Sequence, residues 1–246
     1  MSHERMLIID GNSLLHRAFY AIPYLATSGG LPTNAVYGFT NMLFKVLEEE
    51  KPDYIAIAFD KSRVTFRNQM YEGYKAKRKA TPEELRPQFA MLKKILAAMR
   101  IPTYEIEGFE ADDIIGTIAT LAENEGLKNI ILTGDKDSLQ LVSPHTLALI
   151  TKKGISELEI FDVDAVMKEF KVSPEQFADF KGLMGDPSDN IPGVPGIGKK
   201  YASKLIEEYG SVEEVIKNAD SLTPKLKNTL TTNSELAILS KKLSQI

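Results

Sequence analysis

Three short apolar segments of this chain each end in an aspartate. They run from Arg5 to Asp10, from Tyr54 to Asp60 and from Asn129 to Asp135, and Asp137 follows the third. Apolar runs of this length are typical of buried strands in a parallel sheet, and ligands of open α/β sheets gather where such strands end. We therefore expect these aspartates to meet at one edge of a sheet.

A fourth group of acids opens a helix. Glu110, Asp112 and Asp113 lie close together, just before an apolar repeat at helical spacing that starts at Ile114. Acids near a helix N-terminus each contribute about 0.3–1 kcal/mol through the helix dipole, which accounts for one or two of them. Three together repel one another unless a cation lies between them. Taken alone, the group is still more typical of dipole complementation than of a metal site, and it is the acids at the strand ends that favour the metal site.

The periodicity of the remaining sequence predicts the fold class. Up to Asp162, the strands alternate with segments whose apolar residues recur at helical spacing, and one of these helices is predicted to start at Thr81–Pro82. We predict an α/β fold with a mainly parallel twisted sheet flanked by helices, followed by a helical region. The predicted domains are residues 1–172 and 173–246.

Composition narrows the possible chemistry. The 246-residue chain has no cysteine, which excludes disulfides, thiolate catalysis and cysteine-bound zinc, and its three histidines are scattered. Any metal ion is therefore expected to be held by oxygen. No apolar run reaches membrane-spanning length and the first residues do not resemble a signal peptide, so we expect a cytoplasmic protein.

Charge is distributed unevenly along the chain. The formal net charge is −4, yet the segment from Lys61 to Ala80 is strongly basic. Its only acid is Glu72, and its basic residues are Lys61, Arg63, Arg67, Lys75, Lys77, Arg78 and Lys79. Aromatic residues Phe66, Tyr71 and Tyr74 are interleaved with these cations. Such segments bind single-stranded nucleic acid, with cations on phosphates and rings on bases, although a solvated surface loop is the alternative.

A glycine- and proline-rich segment lies in the helical region. Asp186 and Asp189 occupy a turn, and Ile191–Lys200 then places three glycines and two prolines between two predicted helices. Gly193–Lys199 fits part of a phosphate-binding P-loop, but Lys200 stands where Ser or Thr would hold magnesium, so we reject nucleotide binding. A hairpin whose backbone N–H groups approach a DNA phosphate is favoured over an ordinary turn.

The acids together form the predicted metal set. Its members are Asp10, Asp60, Glu110, Asp112, Asp113, Asp135, Asp137, Asp186 and Asp189. Oxygen-only coordination suits Mg²⁺ or Mn²⁺. Two such ions about 3.5–4 Å apart are the usual device for phosphodiester cleavage, since one activates water and the other stabilises the leaving oxygen. We therefore expect a two-ion nuclease site.

These motifs resemble those of the 5′ nuclease (flap endonuclease) family, and most closely the 5′–3′ exonuclease domain at the N-terminus of bacterial DNA polymerase I. The matching segments are Ile9–Asn12, Ala58–Asp60, Phe66–Arg67, Tyr74–Arg78, Glu110–Asp113, Thr133–Asp137 and Gly185–Gly198. The resemblance covers the whole chain, and every acidic position recognised from the family is filled. It implies a PIN-like core, a helical gateway within residues 63–100 and a helix-hairpin-helix (H3TH) region that binds duplex DNA.

The resemblance also implies roles for individual residues. The implied catalytic set is Lys75 and Arg78, near the scissile phosphate, with Asp10, Asp60, Asp112 and Asp135. Tyr74 is expected to stack on a base, and Arg67 and Lys77 to contact DNA. The hairpin residues expected to grip the duplex backbone are Gly193, Gly196, Gly198, Lys199 and Lys200, often with a K⁺ ion on the hairpin carbonyls.

We expect a divalent-metal-dependent 5′–3′ exonuclease and flap endonuclease. Its expected substrate is branched or nicked DNA with a free 5′ end, including RNA-primed DNA, during replication and repair. The expected protein is a monomer, either a stand-alone nuclease or one linked to a polymerase domain. Two alternatives are a DNA-binding module without catalysis, which the filled acidic positions argue against, and a PIN-type ribonuclease, which would not need the hairpin.

Overall fold

The computed structural model describes residues 4–152, 154 and 157–246, and the chain divides into two compact units. The α/β unit comprises Met1–Arg63 and Ala80–Asp162, and the helical unit comprises Val64–Lys79 and Val163–Ile246. The helical unit therefore takes its first segment from within the sequence of the other unit. This differs from the prediction, which placed the basic segment with the α/β core and the boundary at residue 172.

Six strands form one sheet in the α/β unit. They are β1 (Arg5–Asp10), β2 (Tyr54–Ala58), β3 (Thr103–Tyr104), β4 (Lys128–Thr133), β5 (Thr146–Thr151) and β6 (Leu158–Phe161). The order across the sheet is β3-β2-β1-β4-β5-β6. All neighbouring strands are parallel except β5 and β6, which pair antiparallel at one edge. The mainly parallel sheet predicted from the strand pattern is confirmed.

Helices cover both faces of this sheet. With helices numbered through the whole chain, those of the α/β unit are α1 (Gly11–Ala21), α2 (Asn34–Glu50), α4 (Arg86–Ala98) and α5 (Ala111–Asn124). Leu7 and Ile9 of β1 belong to the core cluster that contains residues of α1, α2 and α4, whereas Ile8 belongs to the cluster with α5. Side chains alternate between faces along a strand, so β1 is apolar throughout because both faces are covered.

The start of α4 differs from the prediction. Thr81–Pro82 was expected to open the helix, but the helix begins at Arg86 after turns in which Leu85 N–H and Arg86 N–H donate to Pro82 O. The reason is Pro87, which lacks an N–H and fits only the first turn of a helix. A helix begun at Pro82 would have placed Pro87 in its interior.

The helical unit contains the other helices. They are α3 (Phe66–Met70), α6 (Val163–Phe170), α7 (Phe177–Met184), α8 (Lys199–Tyr209), α9 (Val212–Lys217), α10 (Pro224–Thr232) and α11 (Ser234–Ser244). Phe170, Phe177 and Phe180 form an aromatic cluster in which the Phe170 and Phe177 ring centroids lie 5.1 Å apart. Lys241 of α11 pairs with Asp179 of α7 at 2.7 Å and with Glu213 of α9 at 2.8 Å, which ties three helices together. Within the described part of the chain, no helix is both long and apolar enough to span a membrane.

Candidate functional site

Three of the predicted acids lie at the same edge of the sheet. Strand β1 pairs in parallel with β2 on one side and with β4 on the other, so the carboxyl ends of the three strands are adjacent. Asp10 is the last residue of β1, Asp60 lies two residues after β2, and Asp135 lies two residues after β4. The topology therefore brings together acids that are widely separated in sequence.

Asp10 is buried, with 4% of its surface exposed. Its Oδ1 accepts a hydrogen bond from Ser13 N–H at 2.9 Å, and its Oδ2 accepts one from the Thr133 hydroxyl at 2.8 Å. Burial raises the pKa of Asp10 to about 7, assisted by the charges of Asp60 and Asp135 and opposed by the two hydrogen bonds. The charged carboxylate is thus unfavourable here, because burial removes water and the neighbouring acids repel it.

Asp60 is held by two different elements. Its Oδ2 accepts from Asn12 Nδ2 at 2.6 Å, while Asp60 N–H donates back to Asn12 Oδ1 at 3.2 Å. Its Oδ1 accepts from Ala111 N–H at 2.7 Å, the first backbone donor of α5. Asp60 therefore joins the end of β2 to the starts of α1 and α5, and its carboxylate lies at the positive end of the α5 dipole.

The three acids at the start of α5 have different surroundings. Glu110 is the N-cap residue and is 6% exposed, and its N–H donates to Asp113 Oδ2 at 2.9 Å. Asp113 therefore uses one carboxylate oxygen to cap the helix, which is the structural role expected of an acid at this position. Asp112, between them in sequence, is half-buried in the first turn.

Asp135 and Asp137 open a short 3₁₀ helix after β4. Asp135 Oδ1 accepts from Asp137 N–H at 3.0 Å, so Asp135 caps the helix that spans Lys136–Leu141. Asp135 N–H donates to Thr133 Oγ1 at 3.0 Å, and Gly134 N–H donates to Ser13 Oγ at 3.1 Å. The turn that carries both acids is thereby fastened to the start of α1 through Ser13.

The acids of the α/β unit suit a divalent cation by their chemistry. They offer only oxygen, and the charges of Asp60 and Asp135 that raise the pKa of Asp10 would be offset by a cation. Across residues 4–152, 154 and 157–246, no three acidic or histidine side chains are gathered closely enough to hold an ion as they stand.

The two remaining predicted ligands belong to the helical unit, where each pairs with a cation. Asp189, 5% exposed, accepts from Arg78 Nε at 3.0 Å and lies 3.7 Å from Lys75 Nζ. Asp186 Oδ2 lies 2.5 Å from Lys181 Nζ, and its Oδ1 accepts two bonds from Ser188. Metal binding by Asp186 or Asp189 would compete with these ion pairs, and their assignment as ligands stays a prediction.

Replacing Lys181 with methionine is expected to lower the free energy of unfolding by about 3–5 kcal/mol at pH 7, because it leaves the Asp186 carboxylate without its cation. Burial acts to raise the pKa of Asp186, but the charge and hydrogen bond of Lys181, with the bonds from Ser188, outweigh it and lower the pKa to about 2. This contribution is complete above the unfolded-state pKa of about 4 and is lost as the pH falls through about 2. Urea denaturation of both proteins at pH 7 measures the loss of stability, and repeating it at pH 3 measures how that loss shrinks as Asp186 becomes protonated.

Lys217→Met provides the matched control. Lys217 pairs with Glu214 on α9 at 3.0 Å, but its side chain is 73% exposed, so a loss of about 0.5 kcal/mol or less is expected. Equal losses in the two variants would show that burial of the Lys181 pair carries no special weight.

Two basic-segment residues expected to contact DNA are instead buried in the helical unit. Arg67 is 2% exposed, its Nε donates to Leu243 O at 3.1 Å, and its guanidinium also donates to Gln245 O at 2.6 Å. Tyr74 is 3% exposed and packs against Ile191 and Leu243. Because their donors and rings are engaged by the end of the chain, we assign both residues to packing rather than to DNA.

The other basic residues of this segment are more accessible. Lys77 is exposed, and the Arg78 side chain is 46% exposed although it pairs with Asp189. Lys75 has a left-handed backbone, with φ of 55°, and its N–H donates to Asp189 O at 2.8 Å. The segment is thus fixed to the Asp189 turn by backbone as well as by charge, with the Arg78 guanidinium on Asp189 and the Lys77 side chain exposed.

The glycine-rich hairpin is built on close backbone contact. Asp186 N–H donates to Ile191 O and Ile191 N–H to Asp186 O, which closes the turn that carries both acids. Gly193 has φ of 61°, and a Cβ there would lie 2.6 Å from Gly185 Cα, so only glycine fits. Around Gly196 and Gly198, by contrast, a Cβ would meet no atom within 4 Å. The latter part of the hairpin therefore presents open backbone.

Helix α8 begins where the hairpin ends. Its N-cap residue, Gly198, has no side chain to cap the first backbone N–H groups. Lys199 and Lys200 follow, and a groove of about 350 Å³ is lined by Glu169, Phe170, Lys171, Lys199, Lys200, Ser203, Lys204 and Glu207. The Lys199 ammonium lies 4.2 Å from the centre of the Phe170 ring. Uncapped N–H groups beside lysines are an arrangement that binds phosphate.

Two family models match the chain one after the other. Residues 5–171 match the N-terminal resolvase-like domain of the 5′-3′ exonuclease, and residues 172–246 match the C-terminal SAM fold of the 5′-3′ exonuclease. The chain belongs to the 5′-3′ exonuclease family. As a member of this family it is a 5′ nuclease, and the recognition of its motifs from the sequence is confirmed. The models meet at residues 171 and 172, one residue from the predicted domain boundary.

Curated relatives of this 5′-3′ exonuclease are bacterial DNA polymerases. The chain is 50% identical over 244 residues to DNA polymerase I of Bacillus caldotenax, covering 99% of this chain and 28% of that protein. It is 47% identical over 243 residues to DNA polymerase I of Mycobacterium tuberculosis (strain ATCC 25618 / H37Rv), covering 98% of this chain and 27% of that protein. The chain thus spans little more than a quarter of the length of these relatives.

Solved structures have the same fold. T5 5′-exonuclease with bound divalent zinc ions is 25% identical, with a TM-score of 0.81 over 98% of this chain and 89% of that chain. The catalytic core of Rad2 in complex with a DNA substrate is 13% identical, with a TM-score of 0.61 over 99% of this chain and 79% of that chain. At that identity the second comparison supports the fold alone.

Sequence reasoning missed the polar residues that hold the acids. Asn12, Ser13 and Thr133 each bond to an acid or to the turn that carries one, yet none was among the candidate residues. A signal was present, since all three lie within three residues of an aspartate at a strand end. Short polar side chains at such positions commonly orient neighbouring groups.

Proposed function

We propose that this 5′ nuclease hydrolyses phosphodiester bonds near the junction of DNA that carries a free 5′ end, with the acids of the α/β unit holding two divalent ions. The observation that carries the proposal is the position of Asp10, Asp60 and Asp135 at one edge of the sheet, in a chain that family models match almost from end to end. Mg²⁺ or Mn²⁺ is proposed because every donor is oxygen.

Each group of residues has a proposed part in the reaction. Asp10, Asp60, Glu110, Asp112, Asp135 and Asp137 hold the ions, with Asp113 capping α5, while the assignment of Asp186 and Asp189 as ligands stays a prediction. When bound, the ions supply an activated water and charge stabilisation of the leaving oxygen. Lys75 and Arg78 place positive charge at the phosphate, where charge develops in the transition state.

Duplex binding is proposed for the hairpin and the start of α8. The open backbone at Gly196 and Gly198 and the uncapped N–H groups before Lys199 and Lys200 support contact with a DNA phosphate. Contacts to phosphate carry no sequence information, so recognition follows the shape of the DNA and its free 5′ end. We also propose that a K⁺ ion binds carbonyls of this hairpin.

The proposed biological role follows from the relatives. Their polymerase name supports work in replication and repair, including the removal of RNA-primed 5′ ends, and linkage of this chain to a polymerase in a longer protein. A monomer and a cytoplasmic location complete the proposal.

Cleavage of a 5′-labelled double-flap DNA by the purified protein tests the function. With Mg²⁺, the flap is expected to be released near the junction, and with excess EDTA cleavage should stop while DNA binding persists. A single-stranded RNA of the flap sequence serves as the matched substrate. Binding without cleavage in either Mg²⁺ or Mn²⁺ would favour the non-catalytic module, whereas preferred cleavage of the RNA would favour the PIN-type ribonuclease.

A further inference from the structure

The hydroxyl of Thr133 connects two of the proposed metal ligands. Thr133 is the last residue of β4 and is fully buried. Its Oγ1 donates to Asp10 Oδ2 at 2.8 Å and accepts from Asp135 N–H at 3.0 Å. A single oxygen thus joins the acid that ends β1 to the backbone of the acid that follows β4.

The direction of these two bonds is fixed. A backbone N–H can only donate, so the Thr133 oxygen must accept from Asp135. The one hydroxyl proton is then left for the Asp10 carboxylate, which can only accept when it is ionised. The hydroxyl therefore stabilises Asp10 in the form that binds a cation, and it sets the orientation of that carboxylate relative to the turn with Asp135.

Burial of a strand threonine does not by itself place its hydroxyl on the acids, as a comparison with Thr146 shows. Thr146 is equally buried and also lies in a strand of the sheet, but at its opposite, amino-terminal end. Its hydroxyl accepts from Asn129 Nδ2 at 2.9 Å and bonds to Glu123. In the strand register these contacts lie at the opposite end of the strands from Asp10 and Asp135. Among the residues that the structure describes, the α/β unit thus contains three buried strand threonines with bonded hydroxyls, Thr133, Thr146 and Thr151, of which Thr133 bonds to one of the proposed metal ligands.

We propose that Thr133 is a positioning residue for divalent-ion binding, acting through Asp10 and Asp135. The inference rests on the proposed function, because it assumes that these acids hold an ion. Groups that orient metal ligands through hydrogen bonds usually change metal affinity or activity by about 10- to 100-fold when they are removed. Thr133 is not expected to contact the DNA or the ion itself.

The test compares Thr133→Val, which keeps the side-chain shape and removes the hydroxyl, with Thr133→Ser, which keeps the hydroxyl. Mn²⁺ binding to each protein without DNA is measured by electron paramagnetic resonance, which counts free ion independently of activity. Thr133→Val is expected to bind Mn²⁺ about 10- to 100-fold more weakly than the unsubstituted protein. Thr133→Ser should restore most of that affinity, and DNA affinity in EDTA should be unchanged in both variants.

Thr146→Val is the matched control, since it removes an equally buried hydroxyl from the same sheet. It is expected to lower stability without changing Mn²⁺ affinity. If Thr133→Val does not fold, Thr133→Ala and Thr133→Ser form the decisive pair, because they differ only in the hydroxyl. Unchanged Mn²⁺ affinity in the variant without the hydroxyl, or an equal loss in Thr146→Val, overturns the proposal. Failure of the unsubstituted protein to bind Mn²⁺ instead overturns the metal site itself, and the assignment of Thr133 with it.

Discussion

Asp10→Asn is expected to lower the cleavage rate by about a thousandfold or more, because a proposed metal ligand is lost and ion binding would supply several kcal/mol of transition-state stabilisation. The same variant should unfold less readily than the unsubstituted protein when no metal is present. The reason is that Asp10 is buried and carries a pKa raised to about 7 by burial and by the charges of Asp60 and Asp135. The neutral amide removes that repulsion.

The pH dependence follows from the direction of this shift. Between the unfolded-state pKa of about 4 and the folded-state pKa of about 7, the folded protein binds more protons than the unfolded chain. In EDTA, the contribution of Asp10 to stability therefore falls as the pH rises through this range. Asn at position 10 does not titrate, so its advantage should be about 1–2 kcal/mol at pH 5 and a further 2–3 kcal/mol larger at pH 8.

Urea denaturation in EDTA at pH 5 and pH 8 measures this advantage, and flap cleavage in Mg²⁺ measures the loss of rate. Glu83→Gln, at an exposed position in the loop before α4, is the control and should change neither quantity. An Asp10→Asn protein that is less stable at both pH values would mean that the carboxylate serves the fold rather than the site. Retained cleavage would remove Asp10 from the metal set.

Lys75→Ala is expected to reduce turnover by about 10²–10³-fold while DNA affinity changes only a few-fold. The Lys75 ammonium, 20% exposed and 3.7 Å from Asp189, is held at a fixed position in the helical unit. A cation fixed in advance stabilises charge as it develops, without reorganising during the reaction. Alanine also leaves the backbone cost of the left-handed conformation unchanged, since both residues carry a Cβ.

Single-turnover cleavage and equilibrium binding to the flap substrate separate the two effects. Lys77→Ala is the matched control, because Lys77 lies in the same segment with an exposed side chain, and it should weaken DNA binding modestly at low salt without a specific loss of turnover. Equal losses of turnover and affinity in Lys75→Ala would make Lys75 an ordinary phosphate-binding residue.

The sheet and its acids were predictable because they follow from local pattern. Apolar runs such as the one that ends at Asp10 identify buried parallel strands, and parallel strands end at a common edge. The strand ends at Asp60 and Asp135 needed only the same rule. The glycines of the hairpin also allowed close backbone packing to be predicted. At Gly193 the backbone of Gly185 leaves no room for a side chain.

The differences from prediction arose where contacts between distant parts of the sequence decide the surroundings of a side chain. The resemblance implied that Arg67 contacts DNA, but the carbonyl groups of Leu243 and Gln245 accept hydrogen bonds from its buried guanidinium. These partners lie at the far end of the sequence, so no local pattern identifies them. The hydroxyl of Thr133 was missed for a similar reason, since its partner Asp10 belongs to another strand.

The division of the chain into two units has a consequence for how the protein can be dissected. The family models divide at residues 171 and 172, which suggests that the C-terminal part could be produced alone. A fragment that starts there lacks Val64–Lys79. It therefore loses the N–H donors of Arg67 and the ring of Tyr74, both of which are buried in the helical unit. The fragment would keep buried carbonyl groups without donors and an apolar gap, so these residues would have to be supplied as a separate peptide or by a redesigned linker.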